Sequence, residues 1–304
     1  MKKNKAIMIV FFVLAALQGM AQKKVQINLK VGDKLHQELK RTSHRQDMKP
    51  SGETIEYHTE NIVGFTYEIL SAGGGTYDAK VTYSFLKFKA GSPGSEGEIT
   101  FDSQNGEDMA GEMGEAVKGV IGKSYVFTID ANTHKVTAIK EGLAKGAAAE
   151  KQPGPLDPGT NLFPQDDEAL KRRVEGAFGG SISDQTPVAG AKWDRSITDL
   201  KKGITTKTTV NYTLNRIDGD QIYIDATGKS IVDGVPEGME EMGDFNLTAV
   251  FDSQTNIKVD AKAGILSEVK SKTKGEQTFY TPQGDHKMNI TISDVETVKR
   301  TGTN

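Results

Sequence analysis

The chain is 304 residues long, carries 38 basic against 41 acidic residues, and contains no cysteine. The missing cysteines exclude a disulfide framework, a thiolate metal centre and a lipid-attached cysteine at a cleavage point. A slight acidic excess leaves no basic stripe for phosphates, so nucleic acid is not an expected partner.

Residues 1–21 read as a signal peptide. Lys2, Lys3 and Lys5 precede an unbroken apolar run from Ala6 to Leu17, and Gly19-Met20-Ala21 ends on a small residue suited to cleavage before Gln22. Such a run spans only ~18 Å as a helix, short of the ~30 Å hydrocarbon core. The expectation is a soluble mature protein, periplasmic or secreted and not membrane-spanning after cleavage. Its balance becomes 35 bases against 41 acids, a net charge near −6.

From Gln22 the dominant signal is period two. Ile55, Tyr57, Val63, Phe65, Tyr67 and Ile69 share one parity, and Glu56, His58, Glu60 and Glu68 share the other. That is a half-buried strand, either long and curved or bulged near Asn61 and Gly64. Gly73-Gly74-Gly75 supplies a turn, and Tyr77, Ala79, Val81, Tyr83 and Phe85 resume the alternation, so the two segments predict an antiparallel hairpin. A loop at 91–95 and a short strand from Glu98 to Asp102 follow. Met109, Met113, Val117 and Val120 then share one helical face, predicting a helix over 107–120 that Gly111, Gly114 and Gly119 weaken. Strands are expected at Ser124–Asp130 and Lys135–Lys140.

Residues 142–185 differ in composition. Pro153-Gly154-Pro155 and Asp157-Pro158-Gly159 break regular structure, and Asp166 to Phe178 reads as a helix with Leu170, Val174, Ala177 and Phe178 on one side. This stretch is either a linker between domains or a lid. Beyond Thr186-Pro187-Val188 and Trp193, strands resume at Ile204–Ile217, with a tight turn at Asp218-Gly219 and a partner strand through Ile222, Ile224 and Ala226. Glu237–Asp244 repeats the methionine, glycine and acid composition of 107–115. Strands at Phe245–Asp252, Ile257–Ala261, Gly264–Lys274, Gln277–Thr281 and Met288–Lys299 complete the chain.

Two strings recur. Phe101-Asp102-Ser103-Gln104 matches Phe251-Asp252-Ser253-Gln254, and Ile129-Asp130-Ala131 through Lys140 matches Val259-Asp260-Ala261 through Lys270 without a gap. The two offsets, 150 and 130, place 20 extra residues in the first half, where the 107–120 helix sits. The reading is a duplication, with a first β repeat over 22–141, a connection over 142–185 and a second repeat over 186–304. The fold expected is mostly β: a duplicated antiparallel sheet forming one strongly curved open half-barrel, with two or three covering helices.

Chemistry-bearing patterns are sparse. His36, Glu38 and His44 share the polar side of one strand, with no HxH or HExxH spacing, so no metal site is expected. His134 falls where the second copy has Gly264, which points to a backbone role. Asp102 with Asp252 and Asp130 with Asp260 invite a paired-carboxylate reading, but acids that begin turns are ordinary local hydrogen-bonding devices. Asp166-Asp167-Glu168 reads as a helix start and Asp218-Gly219-Asp220 as a turn. No nucleotide-binding loop or serine-nucleophile elbow occurs, and Ser84-Phe85-Leu86-Lys87 lies in a strand. No catalytic residue, metal or cofactor is therefore assigned.

The order of features resembles a family of exported bacterial proteins of unknown function, which carry a signal peptide, repeated hairpins and a strand ending in D-x-x-x-G-x-L. Here that strand is Asp260 to Leu266 with Gly264, and the family's P-V-x-x-G-x-x-W element corresponds to Pro187-Val188-Ala189-Gly190-Ala191-Lys192-Trp193, with Ala189 alone between Val and Gly. More loosely, a long curved sheet with mid-chain helices is similar to the open half-barrels of periplasmic lipoprotein carriers.

The leading functional expectation is a non-enzymatic exported protein whose concave face binds an apolar small molecule, a lipid or a lipidated partner. Phe65, Tyr67, Tyr83, Phe85, Met109, Met113 and Tyr212 would line it. A structural or cell-surface interaction module of two tandem β domains is the alternative, and a hydrolase using the repeated aspartates the third reading.

Overall fold

The computed structural model describes residues 24–49, 51–92, 97–141, 167–180, 187–201, 203–235, 237, 245–281 and 284–301. The predicted leader, the Pro/Gly-rich stretch at 142–166 and the methionine-bearing segment at 238–244 lie outside them.

The strands run β1 (Lys34–Met48), β2 (Thr54–Gly73), β3 (Thr76–Gly91), β4 (Ile99–Asp102), β5 (Ser124–Asp130), β6 (Val136–Glu141), β7 (Lys192–Lys201), β8 (Ile204–Asp218), β9 (Gln221–Gly234), β10 (Asn246–Asp260), β11 (Ile265–Tyr280) and β12 (His286–Thr301). They form one 12-stranded sheet in the order β6-β5-β3-β2-β1-β12-β11-β10-β9-β8-β7, with β4 paired to β3 off the path. Every pairing is antiparallel, and the sheet is open, with β6 and β7 at its edges. The ladders are made by chain neighbours except where β5 pairs β3 past β4 and where β12 returns to pair β1, from Lys34 opposite Thr301 to Met48 opposite Lys287. That pairing fuses the two halves into one sheet, so the arrangement of two tandem β domains does not hold.

Several expected elements merge. β2 is both long and bulged, with irregularities at Gly64/Phe65 and Ile69/Ser71. The strands expected at 245–252 and 257–261 are one strand, β10, and those at 264–274 and 277–281 are one strand, β11. Conversely, the 107–120 helix divides into α1 (Gly106–Ala110) and α2 (Glu112–Val117), because Gly111 adopts extended backbone, φ −86° and ψ 179°. Asn105 caps α1 by accepting a hydrogen bond from the Glu107 amide at 2.8 Å.

The sheet curls strongly, and one segment shows how far. The β5–β6 and β10–β11 turns are six ladder steps apart in the sheet order, which on a flat sheet would separate them by roughly 29 Å. Yet consecutive residues of the extended segment ahead of β1 bond to both. The Ile27 amide donates to Ala131 O and the Asn28 amide to Ala263 O, each at 2.9 Å. Consecutive Cα atoms are only ~3.8 Å apart, so the two turns approach to within about 10 Å.

Those turns are the second repeated string, and they share the same pair of backbone-to-aspartate hydrogen bonds. Asp130 Oδ1 accepts from the amides of Asn132 and Thr133 at 3.0 and 2.8 Å, and Asp260 Oδ1 from those of Lys262 and Ala263 at 2.9 Å each. His134 and Gly264 both take the left-handed conformation, φ 56° and 70°. At Gly264 a Cβ would also meet Gln26 O at 2.0 Å, so the bridging segment needs glycine there. The sheet positions of the two turns differ, since β5–β6 closes one edge while β10–β11 lies inside. The first string diverges further: Phe101–Asp102 ends β4 and Ser103-Gln104 turns, whereas Phe251–Gln254 lies within β10.

The core fills this closed end. Val25, Ile27 and Leu29 alternate inward from the bridging segment onto Phe65, Tyr67, Phe127, Ile129, Ile224 and Val259, all buried. The helix α3 (Asp167–Ala177) covers the concave side here, burying Leu170, Val174, Ala177 and the following Phe178. Gly179, φ 71°, ends it in a left-handed cap with the Gly180 amide on Glu175 O at 2.8 Å. Asp33, wholly buried, ties the strand ends together, accepting from the Lys30 amide at 2.7 Å and from Arg300 on β12 at 2.7 and 2.8 Å. Against the cost of burial, those two donors hold its carboxyl below the usual carboxylate range.

Candidate ligand-binding face

Beyond the core, the two faces of the second half part company chemically. Ladder registers and burial place every second residue of β8 from Ile204 to Leu214, β9 from Ile222 to Gly234, β10 from Leu247 to Val259 and β11 from Val269 to Phe279 on the concave side. None of those side chains is charged. The intervening outward positions carry Lys207, Asp225, Lys229, Asp233, Asp252, Lys258, Lys270, Lys272, Lys274 and Glu276. Alternation of this kind normally hides the uncharged side in a core. Here the middle of that side, at Thr208, Ser230, Ser253, Thr255, Ser271 and Thr273, is only half-buried.

These side chains are small, and their hydroxyls partly satisfy one another. Thr208 and Ser230 stand 2.9 Å apart, and Thr255 donates to Ser271 at 3.0 Å. Hydroxyls bonded to each other present methyl and methylene surface outward, so the wall is neutral, low and without an insistent hydrogen-bonding demand. Phe251 lies against the bare backbone of Gly275, where a Cβ would come within 2.2 Å of its ring. Trp193 stacks on Tyr212 at the β7 side, centroids 5.2 Å apart and planes 5° off parallel.

The residues expected to line a binding face fall into three groups. Phe65, Tyr67 and Tyr83 are at most 1% exposed: Phe65 packs on Tyr83 with centroids 4.7 Å apart, and Tyr67 meets Phe178 edge-on at 5.6 Å. They belong to the closed core beneath α3, and burial pushes the Tyr67 and Tyr83 hydroxyls well above the ordinary tyrosine range. Phe85 points the other way, because the bulge beside Gly64 shifts the parity; it covers Gly64 and stacks on His36 at 6.3 Å. Met109 and Met113 are half-buried against the core, and Tyr212 stands half-buried on the uncharged wall. The wall residues Ser253, Ser271 and Thr273 escaped sequence reading because serine and threonine give no hydrophobic period, although uncharged parity opposite Lys270, Lys272 and Lys274 was a usable signal.

Across the concavity, polar groups gather on β1, β2 and β12. Tyr67 donates to Gln37 Oε1, and Gln37 Nε2 donates to Glu296 Oε1 at 2.5 Å. Burial pushes the Glu296 carboxyl up despite the nearby Arg173. Arg41 holds Asp294 in a two-pronged pair at 2.7 and 2.9 Å. The Asn61 side-chain amide and Thr59 Oγ1 are buried, and among the described residues neither has a hydrogen-bond partner.

The repeated aspartates do not meet as pairs. Asp102 accepts from the Gln104 amide at 2.9 Å and pairs with Lys87 at 2.9 Å, while Asp252 is exposed within β10. Asp130 and Asp260 each cap their own turn. Instead, the structure brings His44 of β1 to Glu56 and His58 of β2. His44 and His58 stack across β1 and β2 with centroids 4.4 Å apart, and Glu56 Oε2 is 3.5 Å from His44 Nε2. Hydrogen bonds from Gln46 and from His44 hold the Glu56 carboxyl below its usual range.

The fold and face define an open, curved antiparallel sheet with a filled base and a neutral concave wall. No family model matches the chain, and no curated protein matches it. Among solved structures, lipovitellin, from a study of its lipid–protein interactions, aligns at 11% identity and a TM-score of 0.42, over 90% of this chain and 26% of that one. This chain therefore spans about a quarter of lipovitellin's length. An outer membrane channel from Pseudomonas putida F1 aligns at 8% identity and a TM-score of 0.23, covering 90% of this chain and 98% of its own. The Pseudomonas aeruginosa protein OccK7 aligns at 7% and 0.24, over 89% and 100%. Likenesses of this size carry no inference about what the chain binds. No helix among the described residues is long and apolar enough to cross a membrane.

Proposed function

We propose that this is an exported, non-enzymatic binding protein that receives an apolar chain, a free lipid or the lipid group of a modified partner, along the concave wall of β8 to β11. The observation that carries this reading is the absence of charge from every inward position of those four strands, against a charged outward face. Burying a charge without a partner costs far more than burying a hydroxyl already bonded to its neighbour, so such a wall accepts an apolar guest at little desolvation cost. Small side chains at Gly228, Ser230, Ser253 and Ser271 leave the concavity room that larger residues would fill.

A titration with an apolar fluorophore tests the proposal. The protein should give saturable fluorescence enhancement that is displaced by a fatty acid or phospholipid. Ser271→Glu and Thr273→Lys, which place charge on the wall, should weaken uptake at least tenfold while leaving the strand-type circular dichroism intact. Uptake indifferent to both substitutions, or none at all in the parent protein, overturns the reading. Displacement by lipidated peptide but not by free lipid assigns the guest to a partner.

A further inference from the structure

On the convex side of the sheet, away from the concave wall, we infer a binding site for a divalent transition-metal ion of the zinc type, with His44, Glu56 and His58 as its ligands.

The placement follows from strand geometry. The hairpin joining β1 and β2 pairs residues whose numbers sum to 102, which sets His44 directly opposite His58 and Gln46 opposite Glu56. Residues two apart on a strand share a face, so Glu56 stands beside His58 on the side that His44 occupies. Directly opposed Cβ atoms lie ~5 Å apart, within reach of one ion for two imidazoles. The ligand atoms of all three residues lie within 4.8 Å of one another. A tetrahedral zinc ion with bonds of 2.0–2.2 Å holds its ligand atoms roughly 3.4 Å apart, and the His44 Nε2 to Glu56 Oε2 separation is already 3.5 Å. Small ring rotations about the two histidine side chains close the remainder without moving the backbone.

The surroundings suit such an ion. Gln46 Nε2 donates to Glu56 Oε1 at 2.8 Å, leaving Oε2 for the ion and fixing the carboxylate's direction, the kind of outer support that metal ligands usually have. β1 is bonded along its length to β2 and to β12, so His44 sits on a rigid strand. His44 and His58 line a depression together with Thr42, Glu60, Glu98 and Lys89, the last paired with Glu98 at 2.8 Å, which leaves the fourth coordination position to water. Two imidazoles and a carboxylate are a borderline donor set: they favour zinc, copper or nickel over magnesium or calcium, which prefer oxygen alone. An ion here would clip the two strands toward the turn end of the hairpin, away from the packed base.

The test is isothermal titration of untagged protein with zinc, supported by thermal unfolding. The inference predicts one saturable site per chain, a rise in melting temperature with zinc, and no heat with magnesium. His44→Ala and His58→Ala should each lower zinc affinity at least tenfold, and Gln46→Ala by a smaller factor, with unfolding of the metal-free variants unchanged to within a few degrees. His36→Ala, on the same strand face but outside the trio, should leave zinc binding intact. Absence of saturable zinc binding at micromolar concentrations, or binding that survives both histidine substitutions, overturns the inference.

Discussion

His134 Nε2 lies 3.1 Å from the carbonyl oxygen of Val25, and its other ring nitrogen faces the carbonyl of Phe178. One buried side chain thus joins the repeated turn, the bridging segment and the end of α3, while its backbone occupies the left-handed region that Gly264 occupies in the other copy. Two separate contributions meet at this residue, and substitutions separate them. His134→Gly keeps the conformation and loses the ring. His134→Ala loses the ring and keeps the left-handed cost of about 1–2 kcal/mol that a residue with a Cβ carries relative to glycine. Urea unfolding should rank stability as parent, then Gly, then Ala, with Ala below Gly by about 1 kcal/mol. Equal stability of the two variants would show that the backbone conformation is not maintained.

Phe178 follows α3 and is fully buried edge-on to Tyr67. Phe178→Ala should cost about 3–5 kcal/mol, the usual range for a phenylalanine truncated in a core. Because Phe178 meets Tyr67 edge-on, near-ultraviolet circular dichroism of the tyrosines should weaken as well. A loss under 1 kcal/mol would mean that α3 does not cap the core.

Asp78 supplies the pH dependence. Its carboxylate accepts from Lys140 at 2.7 Å, Ser71 at 2.7 Å and Thr128 at 2.8 Å, and these hydrogen bonds, Lys140 first, bring its pKa down to about 2. A depressed carboxylate contributes stability that is fully present above the unfolded value near 4 and lost as pH falls through about 2. Lys140 is half-exposed, so solvent screening reduces the contribution to about 1 kcal/mol. Asp78→Asn should therefore be less stable than the parent by that amount at pH 7 and equal to it near pH 2, by urea unfolding at both values. A difference that persists unchanged at pH 2 would assign the effect to shape rather than charge.

The sequence carried much of the architecture in its periods. Alternation through Ile55–Ile69 and Tyr77–Phe85 foretold the β2–β3 hairpin, and the helical spacing of Leu170, Val174, Ala177 and Phe178 foretold the buried side of α3. Lengths and breaks were less legible. β10 continues through Ser253–Asn256 because ladder partners on both sides satisfy its backbone, a tertiary effect that polar residues conceal. The split at Gly111 is a backbone choice that glycine permits but does not announce. The His44–Glu56–His58 trio was invisible for a related reason: its spacing exists only across a ladder, and it emerges once the hairpin is known to centre on residue 51. Of the aromatic residues expected to meet a ligand, Phe65, Tyr67 and Tyr83 lie in the core, Phe85 faces the other way and Tyr212 stands on the candidate wall, whose middle is built from serine, threonine and glycine.

The most direct test of the account is native mass spectrometry of the chain produced from the full sequence, residues 1–304, and recovered without detergent. The account predicts a bound mass of lipid size on the parent protein that is lost from Ser271→Glu and Thr273→Lys. A parent protein of bare polypeptide mass, which also fails to take up added phospholipid or lipidated peptide, would contradict it.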